Sequence, residues 1–213
     1  MKPLLLLGAL LLETLTAGAQ SPQPAANSRT SGTLNALVVF AKFHGEAEGE
    51  IQAPPWAADL FNPSVPGSFA HFYREMSRGK MQVSGQVLPR RYTSLQPASA
   101  YVAASAGAQG NFGLFNLQIL AQADGDADLG RFDNDGPDGI PNSGDDDGYV
   151  DVVFINLLTV PRNFFISGAT GYASLGLDTD FISNDPAAGG GTIRVRNRFS
   201  GFGGTTQRGH TFS

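Results

Sequence analysis

The chain has 213 residues, 41% of them hydrophobic, which is enough for one domain with a buried core. Cysteine is absent, and that excludes a disulfide framework, a thiolate nucleophile and any Cys-ligated zinc or iron–sulfur centre. A formal net charge of −5 argues against a nucleic-acid partner, while 27 glycines and 13 prolines point to a loop-rich fold.

Residues 1–19 read as a secretory signal peptide. Lys2 supplies the positive end, Leu4 to Leu12 the apolar stretch, and Ala17-Gly18-Ala19 a small-residue cleavage site before Gln20. The apolar run is too short to span a membrane, so an exported, extracellular product is expected. Residues 20–33, rich in Ser, Pro, Ala and Asn, read as a linker or the remnant of a pro-segment. Leu34 to Phe43 is an apolar run fit for a first core strand. In the polar loop that follows, His44 and Glu46 read as surface rather than as metal ligands. Pro54-Pro55-Trp56 opens a short helical piece ending near Phe61, with the Trp packed in the core. Ser68 is placed to cap a helix from Phe69 to Met76, with Phe69, Phe72, Tyr73 and Met76 on one face. His71 lies off that face and reads as surface. Arg78-Gly79-Lys80 gives a glycine stop with cationic side chains. Met81 to Leu88 alternates as a half-buried strand does. A second helix follows an Ala-, Ser- and Gly-rich stretch, with Phe112, Phe115, Leu117, Ile119, Leu120 and Ala123 as its apolar positions.

Residues 124–151 (DGDADLGRFDNDGPDGIPNSGDDDGYVD) hold ten aspartates and one basic residue, Arg131. Two readings compete: a solvated loop held open by self-repulsion, and a calcium cradle. Calcium takes roughly six to eight oxygen ligands, and short Asp side chains in D-x-D spacing supply many oxygens from few residues. Glycines punctuate the acids at turn positions, no Glu occurs, and the loop runs straight into the apolar Tyr149 to Ile155. These features favour the cradle. Asp124-x-Asp126-x-Asp128 matches the start of an EF-hand, but Leu129 stands where the turn glycine belongs and Asp135 where the bidentate Glu belongs. The better ligand set is Asp133, Asp135, Asp138, Asp145, Asp147 and Asp151, with a backbone carbonyl near Ile140. Outside the cell even weak calcium loops fill.

A strand over residues 149–157 is expected next, then a turn-rich stretch after Pro161. Ile193, Val195 and Phe199 then alternate with Arg194, Arg196 and Arg198. That basic face reads as solvent-facing, with guidance of an acidic substrate as the alternative. Residues 201–213 are glycine-rich with no helix pattern. The order of elements implies an α/β fold, a mixed twisted sheet with helices packed on it.

Four segments carry a family resemblance: Ala36 to Phe40; Ser68-Phe69 through Met81 with Val83 to Val87; Phe132-Asp133-Asn134-Asp135-Gly136 through Asp147-Gly148-Tyr149-Val150-Asp151; and Gly168 to Ala173 with Gly209 to Ser213. Together they resemble the immune inhibitor A-like secreted zinc metallopeptidases, a branch of the zincins, and the third matches that family's calcium-binding run. The resemblance implies a zincin-like α+β fold, incomplete at the C-terminus, with residues 34–213 as the N-terminal part of the catalytic domain. It implies a secreted endopeptidase acting on protein or peptide substrates, with structural calcium and with zinc bound by H-E-x-x-H in the full-length family. This sequence has three histidines, His44, His71 and His210, and no H-E-x-x-H. No zinc ligand and no catalytic residue is therefore assigned, and the 213 residues are expected to be inactive alone. No G-x-S-x-G elbow offers serine chemistry, and calcium-bound carboxylates make poor general acids. The alternative function is a non-catalytic extracellular calcium-binding module.

Overall fold

A computed structural model describes residues 31–47 and 52–209. The stretch read as a signal peptide, most of the stretch read as a linker, and His210 lie outside the described residues. Among the described residues, seven strands and two α-helices are formed: β1 (Gly32–Lys42), α1 (Phe69–Met76), β2 (Met81–Thr93), α2 (Phe112–Ala123), β3 (Val152–Leu157), β4 (Gly171–Tyr172), β5 (Phe181–Pro186), β6 (Thr192–Val195) and β7 (Gly204–Arg208). A five-stranded mixed sheet runs in the order β2-β1-β3-β7-β4, and β5 and β6 form a separate hairpin. β1 pairs in parallel with β2 and β3, β3 pairs in parallel with β7, and β4 is antiparallel at the edge. The protein is thus mixed α/β.

β1 is central because Ala36 to Ala41 is apolar on both faces, as a strand covered on both sides must be. Its alternate residues serve two unequal layers. Leu37, Val39 and Ala41, with Phe43 just beyond, join the main core with α2. Val38 and Phe40 meet a smaller cluster with Trp56, Ala57, Leu60, Phe61 and Phe154. α2 buries Phe112, Phe115, Ile119, Leu120 and Ala123 at helical spacing, and the rings of Phe43, Tyr101, Phe112, Phe115 and Phe164 interlock around it. Gly113 lets α2 approach the backbone of Gly176, where any β-carbon would strike the Gly176 carbonyl.

The structure corrects several sequence expectations. β1 begins at Gly32, inside the stretch read as linker. β2 runs on to Thr93 through Pro89, which an edge strand tolerates and which sits at an irregular register against β1. α1 has its Ser68 cap, with the Ser68 hydroxyl accepting from the His71 amide at 3.0 Å. Its apolar face, however, is largely uncovered: Phe72 is 52% and Met76 70% exposed. Leu117 of α2 is exposed as well, and so is Phe199, beyond the end of β6. β3 begins at Val152, and Tyr149 forms only an isolated bridge with Arg194. β4 and β5 lie in the stretch read as turn-rich, and β7 in the glycine-rich end, where no strand is assigned from the sequence. No described helix is long and apolar enough to cross a membrane.

Candidate metal centre

The acidic stretch divides into two parts with different work. In the first, each carboxylate has a partner within the fold. Asp124 accepts from the Asn184 amide at 3.1 Å and from its side-chain nitrogen at 2.5 Å, tying the end of α2 to β5. Asp126 accepts from the Tyr92 hydroxyl at 2.7 Å and from Arg90 at 2.6 Å. Those two donors hold its pKa below the usual carboxylate range, while burial and then the bond to Asp126 push Tyr92 up to about 12. Asp128 caps the helical turn Leu129–Phe132 by accepting from Gly130 at 3.0 Å. The D-x-D-x-D run is therefore structural bracing.

The second part closes on itself. The buried turn Leu129–Phe132 carries the chain out of the core, and the Asp151 amide donates to the Phe132 carbonyl at 2.7 Å. The two ends of the loop thus meet beside the start of β3. Within it, Asp133, Asp135 and Asp147 each place a carboxylate oxygen within 4.8 Å of the others. Backbone amides fix all three: Gly148 donates to Asp133 Oδ2 at 3.0 Å, Asp147 to Asp135 Oδ1 at 3.1 Å, and Tyr149 to Asp147 Oδ1 at 3.0 Å. Gly148 makes its bond from a left-handed backbone (φ +79°), which glycine adopts without strain.

Asp133 is the anomaly. It is 1% exposed, and its second oxygen, Oδ1, is buried with no hydrogen-bond partner. Burial, reinforced by the charges of Asp146, Asp147 and Asp135, pushes its pKa up to about 7. Burial also raises Asp147, against the opposing pull of Arg196. A buried carboxylate among other carboxylates is unfavourable unless a proton or a cation shares the space. The donors are all hard carboxylate oxygens, which suit calcium or magnesium rather than zinc or copper.

The other proposed ligands stand outside this group. Asp145 accepts from the Asp138 amide at 3.3 Å and from the Ser143 hydroxyl, and Asp138 accepts from the Ile140 amide at 2.8 Å. Ile140 is exposed, at the tip of the loop. Asp151 accepts from the Asn35 amide at 3.0 Å and so joins the loop to β1. Asp146, which the sequence did not single out, staples the loop: its two oxygens accept from Gly136 at 2.5 Å and from Ser143 at 2.7 Å. His44 is in the turn after β1 and His71 on α1, and neither joins a metal-capable group. Glu46 accepts from the Phe43 amide at 2.8 Å and from Thr159.

Sequence reasoning also does not connect Arg196 with the acidic loop. Arg196, read as part of a solvent face, has a side chain only 10% exposed. Its guanidinium pairs with Asp147 Oδ2 and lies 3.9 Å from the centre of the Tyr149 ring, while its Nε is buried without an acceptor. The Tyr149 hydroxyl donates to Asp180 Oδ2 at 3.0 Å, and Asp180 Oδ1 accepts from the Asn197 amide at 2.9 Å. Burial opposes the Asp180 charge, but its hydrogen bonds from Asn197, Tyr149 and Ser200 prevail and hold its pKa low. The apolar alternation of Ile193 and Val195 places Arg196 on the opposite face without revealing that an acidic loop covers it. No family model matches the chain, and no curated protein matches its sequence.

Proposed function

We propose that residues 133–148 form a calcium cradle, and that the chain is the sheet-bearing front part of an exported, zincin-like metallopeptidase domain. The observation that carries the calcium reading is the buried, unpartnered Oδ1 of Asp133, a residue whose carboxylate is grouped with those of Asp135 and Asp147. Asp133, Asp135 and Asp147 would hold the ion, which supplies charge neutralisation and oxygen-preferring coordination when bound. The chain's own residues do the rest: Gly148, Tyr149 and Asp147 amides aim the carboxylates, Asp146 staples the loop, and Asp151 ties it to β1. The ion's role is then structural, bracing the junction between the loop and β3. The peptidase part of the reading is supported by the resemblance and by a mixed sheet with helices packed on it. No H-E-x-x-H occurs in these residues, so no step of peptide hydrolysis is assigned to them.

Calorimetric titration with calcium tests the cradle. The parent is expected to bind, and Asp133→Ala with Asp147→Ala to abolish binding; an unchanged isotherm in the double variant would refute it. Casein cleavage tests the family reading. The 213 residues are expected to be inactive, whereas an extended reading frame containing H-E-x-x-H is expected to cleave. Zinc-dependent cleavage by the 213 residues themselves would count against this assignment. A free-standing extracellular calcium module is the second reading. It is favoured by the fact that the one metal-capable group among the described residues is made of carboxylates alone. A reading frame without H-E-x-x-H downstream of codon 213 would select it.

A further inference from the structure

We propose that Arg196 is a tethered counter-cation of the Asp133–Asp135–Asp147 group, and that it sets the cradle's affinity and its discrimination between ions of different charge. The proposal rests on the calcium reading above and deepens it.

Arg196 is held in place rather than merely nearby. Its guanidinium rests on the Tyr149 ring, pairs with Asp147 Oδ2, and is almost wholly buried. The ring is itself anchored through its hydroxyl to Asp180, which also binds the amide of the next residue, Asn197. Just beyond, Gly203 lies so close to the Arg196 carbonyl that a β-carbon there would stand 2.6 Å from it. The arginine backbone is therefore fixed from both sides. A guanidinium does not lose its proton in proteins, so the positive charge stays beside the cradle at every pH.

That charge has two consequences. Without a metal it offsets part of the repulsion among the carboxylates and lets the loop stay closed. With a metal it repels the bound ion and competes for Asp147, whose Oδ1 already takes the Tyr149 amide. Asp133 Oδ1, buried and with no donor of its own, is left free of that competition. The repulsion between Arg196 and the ion grows in proportion to the ion's charge. Removing the arginine's charge should therefore tighten a trivalent ion more than a divalent one, with a logarithmic gain about 1.5 times as large. A residue that merely orders the loop would not produce that ratio, and its loss would weaken both ions.

The test uses the whole chain, titrated with calcium by calorimetry and with terbium by luminescence. Arg196→Gln keeps a donor for Asp147 and removes the charge; Arg196→Lys keeps the charge. Arg196→Gln is expected to bind calcium about tenfold and terbium about thirtyfold more tightly than the parent, with Arg196→Lys close to the parent for both. Equal or weaker binding in Arg196→Gln, or equal logarithmic gains for the two ions, would overturn the proposal. Should Arg196→Gln not fold, the parent decides. The ¹⁵Nε resonance of Arg196, identified by its loss in Arg196→Lys, is expected to shift on calcium addition, and an unmoved resonance in a calcium-binding parent refutes the proposal. A parent that binds neither ion overturns the calcium reading and this inference with it; a parent that binds while Arg196→Gln does not tighten overturns this inference alone.

Discussion

Asp133 concentrates the energetic tension of the molecule in one carboxyl group. Its folded pKa of about 7 lies above the ordinary 3.8, so the folded chain keeps a proton that the unfolded chain has lost. Stability of the ion-free protein should therefore fall as pH rises through that window, with the penalty complete above about pH 7. Asp133→Asn removes this penalty and the ligand together. In chelator at pH 8 the variant is expected to melt above the parent, and in saturating calcium below it. A parent that melts higher under both conditions would show that Asp133 is not strained without an ion. Residues of this kind are only partly legible in a sequence. The D-x-D spacing and the DGYVD run pointed to Asp133, Asp135 and Asp147. Among three consecutive aspartates, however, spacing cannot say which side chain turns inward, and so it does not distinguish Asp145 from Asp146, which does the stapling.

The elements were legible where local chemistry decides them. α1 begins at its Ser68 cap and stops where the Gly79 amide returns to the Arg74 carbonyl at 2.7 Å. Periodicity also named the residues sharing its apolar face, but it cannot say what lies opposite, and Phe72 and Met76 are exposed. β7 was illegible for a different reason. Its sequence, GTTQR, has no apolar residue, and its burial depends on a partner far away in the chain. The Asn116 amide in α2 donates to Thr206 Oγ1 at 2.6 Å and to the Leu175 carbonyl at 2.7 Å, and Thr206 Oγ1 donates to the Ser174 carbonyl. A polar strand is affordable only once that network closes. α2 must sit close for this, and Gly113 is what permits it. Gly113→Ala is expected to destabilise the fold by about 1–3 kcal/mol in urea denaturation, with little change in calcium affinity per folded molecule.

At the scale of the whole molecule, the loop is a clasp on the sheet, since it is bonded to β1 through Asp151 and to the β5–β6 hairpin through Asn142, whose side chain reaches Pro186 and Ala188. Ion binding there should register globally. Calcium at 100 times its dissociation constant is expected to stabilise by about 2.7 kcal/mol, a rise of roughly 5–10 °C in melting temperature for a chain of this size. Scanning calorimetry with and without chelator measures it, and coincident curves would leave only the solvated-loop reading.

The position of β1 has a bearing on biogenesis. The first described strand to leave the ribosome is an interior strand of the finished sheet, and one of its two neighbours, β3, is made only after the whole acidic stretch. Until Val152 to Leu157 has been synthesised, that flank of β1 is an open hydrogen-bonding edge, and pairing across so long a separation is slow. Nascent chains halted before Val152 should accordingly precipitate, whereas those released at Arg208 stay in solution.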